Sequence, residues 1–458
     1  MEPKVPAPAP LRPAPGEDMM AATGEHQAAI GASAMRKAFW RIIPLILVAY
    51  LFAYLDRVNV SFAAADMNAD LGFSATVYGL GGGLFFLGYA LFEIPSNLML
   101  VRFGARQWIA RIMVTWGLLS AAMMFVTTAE RFYILRFLLG VAEAGFYPGV
   151  IYYFSGWFPP CHRSRAVSRF YIAGPLASMV MGAMSGWLLA LDGTAGMHGW
   201  QWLFLVQGLP TVLVGLVVLR FLPDSPAKVD WLNPAEKAWI ADELARERRL
   251  IGGPVSHNVL AIFRNPKVLL NGAIGFTCIG AFITFTLSAP MILKAATGLD
   301  ATGIGYLVGF GGLIGTAATL WLGNRADQHG DRLIYAFGCA AVMAGALLVI
   351  LLAPSPVIVG LAYLTFATVS FSVAMLVSSG WADALSGREL AVGAAAINTI
   401  SQIGAFLTPF AWGALADATG SFDAGLLGIV LMMVVNATLI WVLRASVRGR
   451  MLRTAIAI

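Results

Sequence analysis

A chain of 458 residues that is 59% hydrophobic and only 12% charged, with mean hydropathy +0.76, is unlike a soluble domain, where roughly a quarter of residues carry charge. A water-facing fold cannot bury that excess. The 30 Lys and Arg outnumber the 24 Asp and Glu, but they sit in short segments between apolar runs, a pattern of membrane topology and not of nucleic-acid binding. Cys161, Cys278 and Cys339 show no CxxC or Cys/His spacing, which argues against a disulfide framework, a zinc site or any other metal.

In chain order, residues 1–38 begin MEPKVPAPAPLRPAPGED, rich in Pro and Ala without an apolar run. They are expected to form a disordered cytoplasmic tail and no signal peptide. Apolar runs of about twenty residues follow, the length that crosses a hydrocarbon layer of roughly 30 Å at about 1.5 Å per residue. They recur near 40–62, 76–100, 108–126, 132–154, 167–190 and 200–221, then near 269–292, 302–322, 333–353, 357–379, 391–413 and 423–443. The reading is an all-α membrane protein of twelve transmembrane helices in two six-helix bundles, 39–221 and 269–445. A polar linker, 222–268, separates them, and 446–458 form a C-terminal tail. Within the linker, Asn233-Pro234-Ala235-Glu236 supplies an N-cap, a proline at the first helical position and an acid in the first turn, predicting a surface helix to about Arg249.

Loop charge sets the orientation. Among the Lys and Arg, Arg131 and Lys294 fall in loops on one side and Arg57 and Arg136 lie within spans; all the others share the side of the linker and both termini. The opposite loops hold Asp66, Asp70, Asp192, Asp417 and Asp423. Both termini are therefore expected in the cytoplasm.

A charge at the bilayer centre costs about 2.5–3.5 kcal/mol on insertion scales, so ionisable residues within spans are functional candidates. The first span holds Tyr54, Asp56 and Arg57, the second ends in Phe92-Glu93-Ile94-Pro95, and the fourth contains Arg136 and Glu143. The last two are separated by about two helical turns, which puts them on one face. Spans of the second bundle carry no charge but hold Thr284, Thr286, Ser288, Asn398 and Gln402, which offer hydrogen bonds. The histidines lie in expected loops or the tail, and no span shows the spacing of an enzyme's nucleophile and base.

These residues carry a resemblance. Tyr54-Leu55-Asp56-Arg57-Val58-Asn59, Phe92-Glu93-Ile94-Pro95-Ser96-Asn97, Arg136-Phe137-Leu138-Leu139-Gly140-Val141-Ala142-Glu143-Ala144-Gly145 and Leu222-Pro223-Asp224-Ser225-Pro226 occur in order, as in the anion:cation symporter group of the major facilitator superfamily. The superfamily's loop motif resembles Gly323-Asn324-Arg325-Ala326-Asp327-Gln328-His329-Gly330-Asp331-Arg332, with Gly323, Asp327, Gly330 and Arg332 in the gating positions. After the second span only Gly104 and Arg106 of that motif survive. The resemblance implies proton-coupled uptake of a small organic carboxylate, such as tartrate, a sugar acid or an aromatic acid, by alternating access in a bacterial inner membrane. A facilitator or exporter of an organic anion is the alternative on the same fold. It implies substrate contacts at Arg57, Tyr54, Tyr89, Arg136 and Asn398, protonation at Asp56 and Glu143, and Arg136 as partner of the fourth-span acid. The expected partners are the anion, protons and lipid, with no nucleic acid, no cofactor and a functional monomer; Glu93 has no assigned role.

Overall fold

The computed structural model describes residues 15–171, 173–251, 264–353, 355–379 and 387–456. Among these there is no strand. The helices are α1 (Pro15–Leu71), α2 (Ala75–Phe103), α3 (Ala105–Ala122), α4 (Ala129–Glu143), α5 (Phe146–Ser155), α6 (Pro160–Tyr171), α7 (Ala173–Leu189) and α8 (Gly199–Phe221) in the first bundle. The linker carries α9 (Pro234–Ile251). The second bundle holds α10 (Pro266–Thr297), α11 (Ala301–His329), α12 (Arg332–Leu352), α13 (Pro356–Ser379), α14 (Gly387–Thr419) and α15 (Asp423–Ile456). Among the described residues, 10 segments are long and apolar enough to cross a membrane, α4 and α5 forming one of them. The expected fifth span, 167–190, is divided between α6 and α7, with residue 172 outside the described residues and a shorter apolar stretch at Leu176–Leu189, and the eleventh falls on α14.

The expected tail requires correction. Residues 1–14 lie outside the described residues, but from Pro15 the chain is helical and runs unbroken into the first span. At about 1.5 Å per residue α1 is about 85 Å long, so its start projects well beyond a bilayer. The physical reason is a helical stripe hidden in an Ala-rich composition: Gly31, Ala34, Met35 and Ala38, spaced three and four apart, are all buried. They pack on α9, whose Trp239 ring occupies the space a Cβ on Gly31 would need. Ile240 and Leu244 of α9 share that core.

Glu236 ties the two elements together. Asn233 and Glu236 form the expected reciprocal cap, with Glu236 N donating to Asn233 Oδ1 at 2.8 Å and Asn233 N donating to Glu236 Oε2 at 2.9 Å. The same carboxylate accepts from Ser33 Oγ at 2.7 Å and Lys37 Nζ at 2.9 Å. Arg163 of α6 makes a two-pronged pair with Glu247 at 2.8 and 2.7 Å, and Trp157 stacks on Trp231 at 5.7 Å. The linker helix is thus fastened to the first bundle.

This arrangement gives a pH-dependent stability. Burial acts to raise the Glu236 pKa, but the Lys37 ammonium, the Asn233 N–H and the Ser33 hydroxyl together hold it below the usual 4.5. A depressed carboxylate stabilises the fold fully above its unfolded pKa, and that contribution is lost as pH falls through the folded value. Glu236→Gln should destabilise the protein by on the order of 1 kcal/mol at pH 7. Thermal unfolding should show the gap narrowing as pH falls below 4.5 and through the depressed folded pKa, once the wild-type carboxyl is protonated too; a gap that does not change with pH would remove Glu236 from this role.

The bundles meet along α2 with α14, α7 with α11 and α1 with α10. On the side away from α9 the seam is backbone on backbone. A Cβ on Gly182 would strike the Gly305 carbonyl and the reverse, while Cβ atoms on Gly79 and Gly83 would strike the carbonyls of Pro409 and Phe406. Glycine is what lets these helices approach so closely. A few hydrogen bonds join the seam: Tyr78 Oη donates to Leu287 O at 2.9 Å, and Asp417 accepts from Ala75 N and Thr76 N at 3.0 and 2.8 Å. Toward the α9 side, among the described residues, the bundles are bridged by Asn398 Nδ2 donating to Glu93 Oε2 at 2.9 Å.

Candidate functional site

The site is built on a broken span. α4 ends at Glu143, Ala144 leaves helical geometry with ψ 131, and Gly145 takes φ +86 before α5 begins. Only glycine fits there without strain, and a Cβ would also collide with Ser96 Oγ. Ser96 Oγ donates to the Ala144 carbonyl at 2.6 Å and accepts from Trp108 Nε1 at 2.9 Å, so the break is satisfied within the protein. It leaves the Glu143 carboxylate at the negative end of a helix, where a cation is needed beside it.

Arg57 supplies that cation. Its Nη2 pairs with Glu143 Oε1, and the two side chains differ in access: Glu143 is 0% exposed, whereas Arg57 is 26% exposed. Arg57 Nε and Glu143 Oε2 have no hydrogen-bond partner. The guanidinium lies 5.6 Å from the Tyr54 ring and 5.7 Å from the Tyr89 ring, which flank it with aromatic faces. The expected pairing of Glu143 with Arg136 is therefore replaced by one with Arg57. Two turns of helix place Arg136 about 10 Å along the axis, too far for contact. Arg136 is buried instead, its Nε donating to Gly81 O at 3.3 Å and its guanidinium 5.0 Å from the Phe85 ring.

Asp56, one residue before Arg57, faces a different wall. One oxygen accepts from Ser120 Oγ and from Asn59 Nδ2, the latter at 3.1 Å, while Oδ2 has no partner. Asn59 is legible as the residue three positions on along the same helix face. Ser120 comes from α3 and nothing in the sequence signals it.

From the second bundle, Asn398 reaches the site region through Glu93. Thr284, by contrast, donates to its own helix at Gly280 O, 2.7 Å, as membrane-helix threonines commonly do. Gly323 and Asp327 lie within α11, Gly330 ends it with φ +70, and Arg332 Nε donates to Asp327 Oδ1 at 2.8 Å. Asp331 pairs with Arg444 of α15 at 2.9 Å, so this motif ties the α11–α12 corner to a third helix. Beyond Val58 a small apolar cavity lies between the bundles, lined by Phe282, Phe285, Phe366 and Phe371 among others.

Two helical bundles with a seam of glycines between them and a buried, charge-paired centre in the first define a multi-pass membrane carrier. The chain belongs to the Major Facilitator Superfamily, whose family pattern matches residues 46–409. It is 40% identical over 428 residues to a protein of Agrobacterium vitis named "Putative tartrate transporter", covering 93% of this chain and 94% of the relative. It is 37% identical over 428 residues to a quinolone resistance transporter of Acinetobacter baumannii, covering 92% and 97%. The fold also matches the crystal structure of a bacterial homologue of the human lysosomal transporter Spinster, with TM-score 0.70 and 16% identity, covering 89% of this chain and 97% of that one. The protein is a transporter and not an enzyme.

Proposed function

We propose that this protein carries a small organic carboxylate into the bacterial cytoplasm together with protons, by alternating access. One observation carries the reading: Arg57, partly open to water, is held by a fully buried acid, Glu143. In the empty carrier Glu143 occupies the guanidinium. When Glu143 takes a proton, Arg57 is released to bind the substrate carboxylate by a charge-assisted, two-pronged contact. Desolvation favours a protonated carboxyl and a neighbouring guanidinium favours an ionised one, so substrate and proton compete through one arginine. Asp56 is the second proton site, Tyr54 and Tyr89 flank the bound anion, buried Arg136 supports the charge of the site, and Asn398 closes on it from the second bundle. The Asp327–Arg332 staple at the end of α11 is the contact that rearranges as the bundles rock.

The coupling has a clear purpose. Bringing one negative charge inward against 100 mV costs about 2.3 kcal/mol, and a co-transported proton cancels it. In proteoliposomes, labelled tartrate, galactonate or an aromatic acid should accumulate under an inward proton gradient and should stop accumulating when a protonophore is added. Uptake that ignores the protonophore would make the protein a facilitator.

The α9 side is the cytoplasmic side in this reading, from the excess of Lys and Arg there, and the protein works as a monomer in the inner membrane. Single cysteines at Asp192 and Lys237 should label from opposite faces with an impermeant reagent. Labelling of both from outside intact cells would overturn the topology. A second reading, export of an aromatic anion, draws on the quinolone resistance relative and on the aromatic cavity beside Val58. Reversing the imposed gradient in the same vesicles distinguishes it.

A further inference from the structure

Glu93 is an acid of the bundle interface that the mechanism above leaves unused. It lies one helical turn from Tyr89 on α2 and therefore on the same face. That face turns toward Arg57, whose guanidinium is 5.7 Å from the Tyr89 ring and within electrostatic reach of Glu93. Across the interface Asn398 Nδ2 donates to Glu93 Oε2 at 2.9 Å. Both side chains are only half-buried. Arg57 is tied to the fully buried Glu143, so one side of α2 faces a cation and, a turn away, a carboxylate and amide. Because Asn398 has already given one N–H to Glu93, the pair offers a ligand mainly oxygen acceptors, which suit hydroxyl donors.

We propose that Glu93 and Asn398 form a hydroxyl-recognising subsite, and that the carried anion is a polyhydroxylated monocarboxylate with its carboxylate at Arg57 and a hydroxyl at the Glu93–Asn398 pair. The proposal rests on Arg57 being the anion contact. Glu93 then sets specificity in two ways. Its oxygens accept hydrogen bonds from the sugar-acid hydroxyls, and its charge repels a second carboxylate placed at the same end. A site built to bond a hydroxyl also rejects an analogue lacking one, because its buried polar groups are left unpaired. Asn398 contributes from the other bundle, so occupancy of this subsite draws the two halves together.

The test is binding to the purified full-length protein, with galactonate, galactarate, tartrate and hexanoate as probes. Wild type should prefer galactonate over the two diacids and over hexanoate by about tenfold or more. Glu93→Gln keeps shape and hydrogen bonding and removes the charge; it should strengthen galactarate and tartrate, weaken galactonate and collapse the preference. Asn398→Ala should weaken galactonate about tenfold while leaving the discrimination against diacids in place. The two variants separate charge from hydrogen bonding, and matching elution profiles establish that both are folded. Equal binding of galactonate and galactarate by wild type, or an unchanged ratio in Glu93→Gln, overturns the subsite. If binding is still lost in Arg57→Ala in that case, the carboxylate reading survives without it; if wild type binds none of the probes, both fall.

Discussion

Arg57→Ala is expected to abolish carboxylate binding. Removing one partner of a buried, hydrogen-bonded charge pair typically costs 2–5 kcal/mol, so affinity should fall by about thirtyfold to several thousandfold. Lysine should be a poor replacement, since a point charge on a flexible stem cannot reproduce the planar fork or its stacking between Tyr54 and Tyr89. The alanine variant also strands Glu143 without its cation, so stability should fall with binding. The double variant Arg57→Ala/Glu143→Gln separates the two effects: stability should recover, because no unpaired charge remains, while binding stays lost. If the single alanine variant bound substrate within about threefold of wild type, Arg57 would not be the anion contact.

Glu143→Gln is expected to separate binding from energy coupling. The amide cannot hold Arg57 as an ion pair, so the guanidinium is permanently available and anion affinity should rise severalfold. The same variant cannot bind and release a proton, so a return step that needs the empty, deprotonated carrier should stall. Proton-driven accumulation should vanish, and exchange of internal for external substrate should persist. Asp56→Asn tests the second proton site. Its Ser120 and Asn59 contacts reach only one oxygen, so the asparagine fits with little disturbance, and accumulation should again be the property lost. Wild-type accumulation in both variants under a pH gradient would move coupling elsewhere, with Glu93 the next acid to test.

The sequence exposes the spans because length and hydropathy are local properties. Most expected apolar runs fall on a single described helix, 132–154 and 167–190 each being divided between two, and the Asn233–Glu236 cap forms as its spacing predicts. The stripe Gly31, Ala34, Met35 and Ala38 is also periodic, but three of its four members are Gly or Ala, too small to register as an apolar face. Its partner, Trp239, is distant in the chain. Within the site, the residue types are legible and the partners are not. Arg57 and Glu143 stand out as charges in lipid, yet the family resemblance points to Arg136 as the acid's partner, and spacing puts Arg136 only on the same helix face. The actual pairing depends on the long Arg57 side chain of α1 reaching the end of α4 and on the break at Ala144 and Gly145. Ser120 and the Glu93–Asn398 bridge are likewise products of packing between helices distant in the chain.

The glycine seam bears on how easily the carrier changes state. Where Gly182 meets Gly305 and Gly79 and Gly83 meet α14, the surfaces in contact are main chain, so parting them requires no side chain to leave a rotamer well. What must be given up is the apolar packing of α2 on α14 and of α7 on α11, with Leu287 and Ala405 in one core with the first bundle, and the hydrogen bonds at Tyr78 and Asp417, each worth about 0.5–1.5 kcal/mol net. Inverting a two-state equilibrium from 1:99 to 99:1 needs a differential of about 5.5 kcal/mol. A latch of a few such bonds lies within that range, so a ligand whose binding differs between the two states by a comparable amount tips the population from one face of the membrane to the other.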